Sequence, residues 1–207
     1  LQVDNGGDVT VRAGRDIAGG TFLLGRGDGV LQAGNRIMEG DAISATRVGK
    51  IAPVLGLMEG TFTLRAGGDL AFASVLNPTM LPSVDGLANA GLYFTYAADS
   101  TLDAASTAGR VDWMADRPAG QPSMTQYFSG LARTGPADER IAWSPVYQSP
   151  TAWLPPIVRG AAFGGDLALT LPSASSGLTL YPSAQGQLEL YASADLHLIS
   201  NLNTVAM

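Results

Sequence analysis

A few groups of residues in this 207-residue chain could do chemistry. Arg26-Gly27-Asp28, set between Gly25 and Gly29, would in an exposed loop offer a cation and a carboxylate to an integrin-type receptor. Read for structure alone, the same tripeptide is a Gly-rich turn between strands with two solvated charges. Asp112 and Asp116 lie beside Trp113, and Asp99 and Asp103 form a second acidic pair. Carboxylates held about 5–10 Å apart suit glycoside hydrolysis, and Trp113, Trp143 and Trp153 could stack against a sugar ring. The competing reading is that each Asp caps a turn by accepting backbone N–H bonds.

His197 is the sole histidine. It alternates with Leu196 and Leu198, so it points away from them, into solvent, and one imidazole supplies at most one metal ligand. Cys is absent, which excludes disulfides and Cys-based metal sites. The Gly-Gly-x-Gly-x-Asp nonapeptide of calcium-binding rolls does not occur. No Gly-x-Gly-x-x-Gly opens a helix after a strand. No catalytic residue, metal ligand or cofactor is therefore assigned.

The elements that would position these residues are legible as a repeated phrase. Val11-Arg12-Ala13-Gly14-Arg15-Asp16-Ile17 is matched 20 residues later by Leu31-Gln32-Ala33-Gly34-Asn35-Arg36-Ile37. Leu64-Arg65-Ala66-Gly67-Gly68-Asp69-Leu70 and Leu190-Tyr191-Ala192-Ser193-Ala194-Asp195-Leu196 repeat it. A shorter phrase, Gly-Asp-aliphatic, recurs at Gly7-Asp8-Val9, Gly68-Asp69-Leu70 and Gly165-Asp166-Leu167. Around the phrases apolar residues alternate with period two, as in Val9/Val11, Phe62/Leu64, Leu167/Leu169/Leu171 and Leu188/Leu190. That period reads as short half-buried strands. No apolar 3.6 period holds for three turns, so long helices are not expected.

A sandwich or barrel would pair such strands as antiparallel hairpins with Asn-Gly or Asp-Gly turns. Near-identity at a spacing of about 20 residues instead favours coils stacked one on the next. The expectation is an all-β, right-handed parallel β-helix, with Ala and Gly at its corners, where side chains have no room. About seven coils at ~4.8 Å spacing would make a rod of about 35 Å. The coils span 1–109 and 160–207. Between them, 110–159 holds seven of the 12 prolines and all three tryptophans. It reads as an irregular Pro- and Trp-rich excursion, with a short helix expected over 124–132.

The phrases at 6–17, 64–70 and 180–192 resemble the repeats of filamentous-haemagglutinin-like proteins, the large exoproteins of two-partner secretion. The resemblance covers 6–109 and 160–200. It implies a β-helical shaft secreted to the bacterial cell surface and used for adhesion, biofilm formation, toxin delivery or haem acquisition. Neither the Asn-Pro-Asn-Gly signature of the secretion domain nor a toxin domain is visible, so the chain reads as shaft.

Composition agrees with this picture. Charged residues are 14% of the chain, against an average of about 25%. Gly accounts for 26 residues, against an average share of about 7%. One Lys and 11 Arg against 18 acidic residues leave little to neutralise phosphate, which argues against nucleic-acid partners. No apolar run approaches the ~20 residues of a membrane-spanning helix. The chain opens Leu1-Gln2-Val3-Asp4 and is read as an excised or processed piece of something longer.

The expected partners are neighbouring coils of the same chain, a host or bacterial surface receptor or glycan, and other copies joined through exposed end coils. A carbohydrate-binding or polysaccharide-cleaving module built on 110–159 is the alternative. A trimeric capsid- or tail-fibre-like β-structure is a third.

Overall fold

Alternation of apolar and polar residues puts every second side chain inside, and the computed structural model shows what those side chains meet. It describes residues 6–44, 47–77, 96–114, 153–170, 178–199 and 205–206. Among these the chain is all-β, without helices, and its long sheets are parallel. One six-stranded sheet contains β1 (Val9–Ala13), β4 (Gly29–Ala33), β9 (Thr61–Ala66), β12 (Thr101–Ser106), β15 (Ile157–Ala162) and β18 (Gln187–Ala192), in that order. A second runs β2 (Ile17–Ala18), β5 (Ile37–Met38), β10 (Leu70–Phe72), β13 (Val111–Met114), β16 (Leu167–Thr170) and β19 (Leu196–Ile199). Two three-stranded sheets follow: β3 (Thr21–Leu23), β8 (Val54–Gly56) and β11 (Ser74–Leu76), then β14 (Trp153–Leu154), β17 (Leu178–Leu180) and β20 (Val205–Ala206). The chain thus visits the sheets in turn and returns to each one strand further along.

Register explains the repeated phrase. Ala13, Ala33, Ala66, Ser106, Ala162 and Ala192 stack in one column at the end of the first sheet's strands. Leu31, Leu64, Ala104, Gly160 and Leu190 form the inward column two residues earlier. Leu70, Val111, Leu167 and Leu196 stack in the second sheet. Apart from Ser106, Gly160 and Leu196, these residues join Phe62, Phe72 and Trp113 in one continuous core. Its largest ring is matched by its smallest residues, since Trp113 shares the interior with Ala104 and Gly160.

Several expectations are refined. The described circuits number six rather than about seven. The 20-residue spacing holds for β1/β4, β2/β5 and β8/β11; the other described strand pairs are further apart because segments are inserted between sheets. One insertion is described: β6 (Gly40–Ser44) and β7 (Arg47–Ile51) form an antiparallel hairpin, with Asp41 opposite Lys50. Of the stretch 110–159, Val111–Met114, Trp153–Leu154 and the start of β15 belong to the ladders. Residues 115–152, including the helix expected over 124–132, lie outside the described residues.

The Gly after the Ala column marks a corner where stacked backbones nearly touch. A Cβ on Gly34 would run into the carbonyl of Gly14, and one on Gly67 into the carbonyl of Gly34. Gly14 itself faces open space. Gly34→Ala is expected to lower unfolding stability by about 1–3 kcal/mol, the usual result of overpacking. Gly14→Ala should stay within about 0.5 kcal/mol. Urea denaturation of the two variants checks the difference.

Candidate functional site

Straight parallel strands satisfy each other's backbone groups, but at a corner the chain turns and N–H groups need other acceptors. Asp fills that need here. The carboxylate of Asp8 accepts from the N–H of Asp28 (2.9 Å), and that of Asp28 accepts from Thr61 (3.0 Å). At the next corner Asp16 accepts from Arg36 (3.1 Å), Asp69 from Arg110 (3.1 Å) and Asp166 from Asp195 (3.0 Å). Each bond ties one circuit to the next, and together they account for the Gly-Asp-aliphatic phrase.

The Arg26-Gly27-Asp28 tripeptide is therefore part of a stacked corner rather than a free loop. The Arg26 guanidinium pairs with Glu59 at 3.0 Å, and the Gly27 N–H donates to the Glu59 carbonyl at 3.1 Å. Gly27 has φ 117°, open to glycine at little cost, and a Cβ there would meet the Gly7 carbonyl at 2.8 Å. Arg26 and Asp28 are exposed, yet both charges have partners within the ladder.

Of the three tryptophans proposed to stack a sugar, Trp113 is in the core. Its ring packs on Phe72 with centroids 4.8 Å apart, and its Nε1–H is buried with no hydrogen-bond partner. The period-two pattern of β13 turns it inward, so it cannot meet a ligand without opening the core. Trp153 lies on β14, whose backbone pairs with Thr179 and Leu180. Trp143 is outside the described residues, as is Asp116.

Of the two acidic pairs, Asp99, Asp103 and Asp112 lie among the described residues. Asp103 faces outward on β12 and is held by Arg65 at 2.6 and 3.0 Å. Asp112 pairs with Arg110 at 3.2 Å, and Asp99 sits in the turn before β12. His197 is exposed as expected, 3.9 Å from Asp166. Asp166, Asp195 and His197 place three donor atoms within 4.8 Å of one another.

The residues the sequence reading missed are on the outer face of the first sheet. Arg65, Ala105, Ala161 and Tyr191 stack in one outward column. Thr63, Asp103, Arg159 and Glu189 form the column beside it. Arg159 pairs with Glu189 at 3.1 Å and donates to Gln187 at 3.1 Å, while Gln187 donates to Glu189 at 2.6 Å. Two aromatic rings stand exposed at one end of this face: Phe163 at 59% and Tyr191 at 52%, with centroids 5.5 Å apart. Neither fits the period that signals a core, and each is flanked by alanine, which was the available signal. No protein-family model, curated protein or solved structure matches the chain.

The Asp16 carboxylate predicts acid sensitivity. Partial burial acts to raise the pKa of Asp16, but hydrogen bonds from the Arg36 side chain and backbone, the Arg36 charge and a bond from Asn35 outweigh it. The carboxyl is held below its ordinary 3.8. A lowered folded pKa contributes stability above the unfolded value, and that contribution is lost as pH falls through the folded one. The gap in thermal midpoint between the wild type and Asp16→Asn should be full at pH 7 and shrink below about pH 4. A gap unchanged at acid pH would contradict this.

Proposed function

We propose that the chain is a segment of a right-handed parallel β-helix, acting as a structural shaft in a secreted, cell-surface, filamentous adhesin-like exoprotein. In this reading it is a rigid spacer and a display surface, and it catalyses nothing. The observation that supports it most is the in-register parallel stacking of both six-stranded sheets. Six rungs at about 4.8 Å give a rise of about 24 Å along such a shaft. Each circuit meets only its neighbours, so stability would be near-additive along the axis.

The outermost described circuit leaves large apolar residues exposed. Leu196 is in register with Leu167, which is 2% exposed, yet is itself 46% exposed. Leu198 follows Leu169 in the same way. Among the described residues β18 and β19 are the outermost strands of their sheets, an edge that is a template for another strand. In a long exoprotein the neighbouring circuits of the same chain would cover it. The lone Lys of the chain, Lys50, is on the hairpin and does not guard these edges.

Purified at increasing concentration, the chain is expected to associate end to end into rods of constant width, visible by electron microscopy and as rising mass in sedimentation. The double variant Leu196→Lys/Leu198→Lys should return it to single copies. Compact single copies at every concentration, unaffected by the double variant, would overturn the reading.

A further inference from the structure

We propose that the outer face of the first six-stranded sheet, between Arg65 and Tyr191, binds a neutral carbohydrate chain. The site lies on the ladder itself and owes nothing to the Trp residues first considered for such a role. Its floor is Ala105 and Ala161, stacked on adjacent strands and both half-buried. Small residues at two successive positions in an outward column leave a shallow trough between the longer side chains on either side. Arg65 closes it at one end and Tyr191 at the other, three strand spacings apart, or about 14 Å.

The walls have the chemistry of sugar recognition. Phe163 and Tyr191 touch each other, yet each leaves more than half its surface to solvent. The other described aromatic side chains on the inner faces, Phe62, Phe72 and Trp113, are buried in the core. Exposed aromatic faces are platforms for the apolar C–H faces of sugar rings, and the Tyr191 hydroxyl adds a polar tip. Beside the trough Asp103, Arg159 and Glu189 of the neighbouring column, with Gln187 two residues before Glu189, supply planar donors and acceptors already positioned by bonds, Asp103 to Arg65 and the other three to one another. Such groups suit the paired donor and acceptor character of hydroxyls.

Charge selects the class of ligand. Beside the trough Arg65 is matched by Asp103 and Arg159 by Glu189, two cations against two anions. A polyanion would meet arginines already engaged, and a polycation would meet carboxylates in the same state. An uncharged polyhydroxylated chain is the partner that this balance leaves favoured. This inference goes beyond the shaft reading: a rod that binds no sugar would leave that reading intact.

Affinity electrophoresis of the full chain through gels containing xylan, laminarin or galactomannan tests it, with polygalacturonate as the charged comparison. At least one neutral polysaccharide is expected to retard the chain. Tyr191→Ala and Phe163→Ala should each weaken the retardation about ten-fold, whereas Tyr191→Phe should keep most of it. Both rings are exposed, and circular dichroism of the variants separates lost binding from lost folding. No retardation by any of the neutral polysaccharides would overturn the proposal. So would retardation untouched by both alanine variants, or retardation by polygalacturonate alone. Self-association that depends on Tyr191 without sugar binding would assign the face to a second copy instead.

Discussion

The structure depends on one constraint: each residue of a strand sits on its counterpart one circuit earlier, in parallel register. Along straight strands this closes the backbone hydrogen bonds without help. At corners it does not, and a carboxylate placed just before the strand takes an N–H of the following circuit. Asp8, Asp16, Asp28, Asp69 and Asp166 all do this, at two different corners. Where the stacked backbones pass closest, the same register leaves no room for a Cβ at Gly34 or Gly67, each of which lies against the glycine one circuit earlier. Low charge and high glycine content are consequences of this geometry.

Stacking also couples side chains that are far apart in sequence. The inward column Leu31, Leu64, Ala104, Gly160, Leu190 narrows in its middle, where Trp113 enters from the second sheet. Volume is thus traded between sheets within a layer. On the outer face the same register brings Arg65 to Asp103 and Arg159 to Glu189. Such exposed pairs contribute only about 0.2–1 kcal/mol each, so they shape the surface more than they hold it together. The alanines between them and the aromatic pair beside them give that surface its relief.

The phrases at 11–17, 31–37, 64–70 and 190–196 made the parallel strands readable, because near-identity survives where stacking demands it. The circuits at 101–114 and 157–170 were harder to see, for a physical reason. Their corners hold four residues, 107–110 and 163–166, where the others hold three. The extra residue breaks the spacing. In the first of them Ser106 replaces the columnar Ala, and its hydroxyl closes the corner by donating to the Gly68 carbonyl at 2.6 Å and accepting from the Gly109 N–H at 2.9 Å. Trp113, beside two acids, has the look of a sugar site, yet the two-residue period it shares with Val111 turns it into the core. The outer face was invisible for another reason: its column draws on residues up to 126 apart, Arg65 to Tyr191, and only the register joins them.

Cross-linking tests that register most directly, and the absence of native Cys makes it clean. Ala105 and Ala161 are direct partners on β12 and β15, within reach of a disulfide. Ala105 and Arg159 lie on the same two strands and the same face but two residues out of register. The account predicts that Ala105→Cys/Ala161→Cys oxidises readily to an internal disulfide in the folded chain, while Ala105→Cys/Arg159→Cys does not. Equal or faster oxidation of the second pair would contradict in-register parallel stacking.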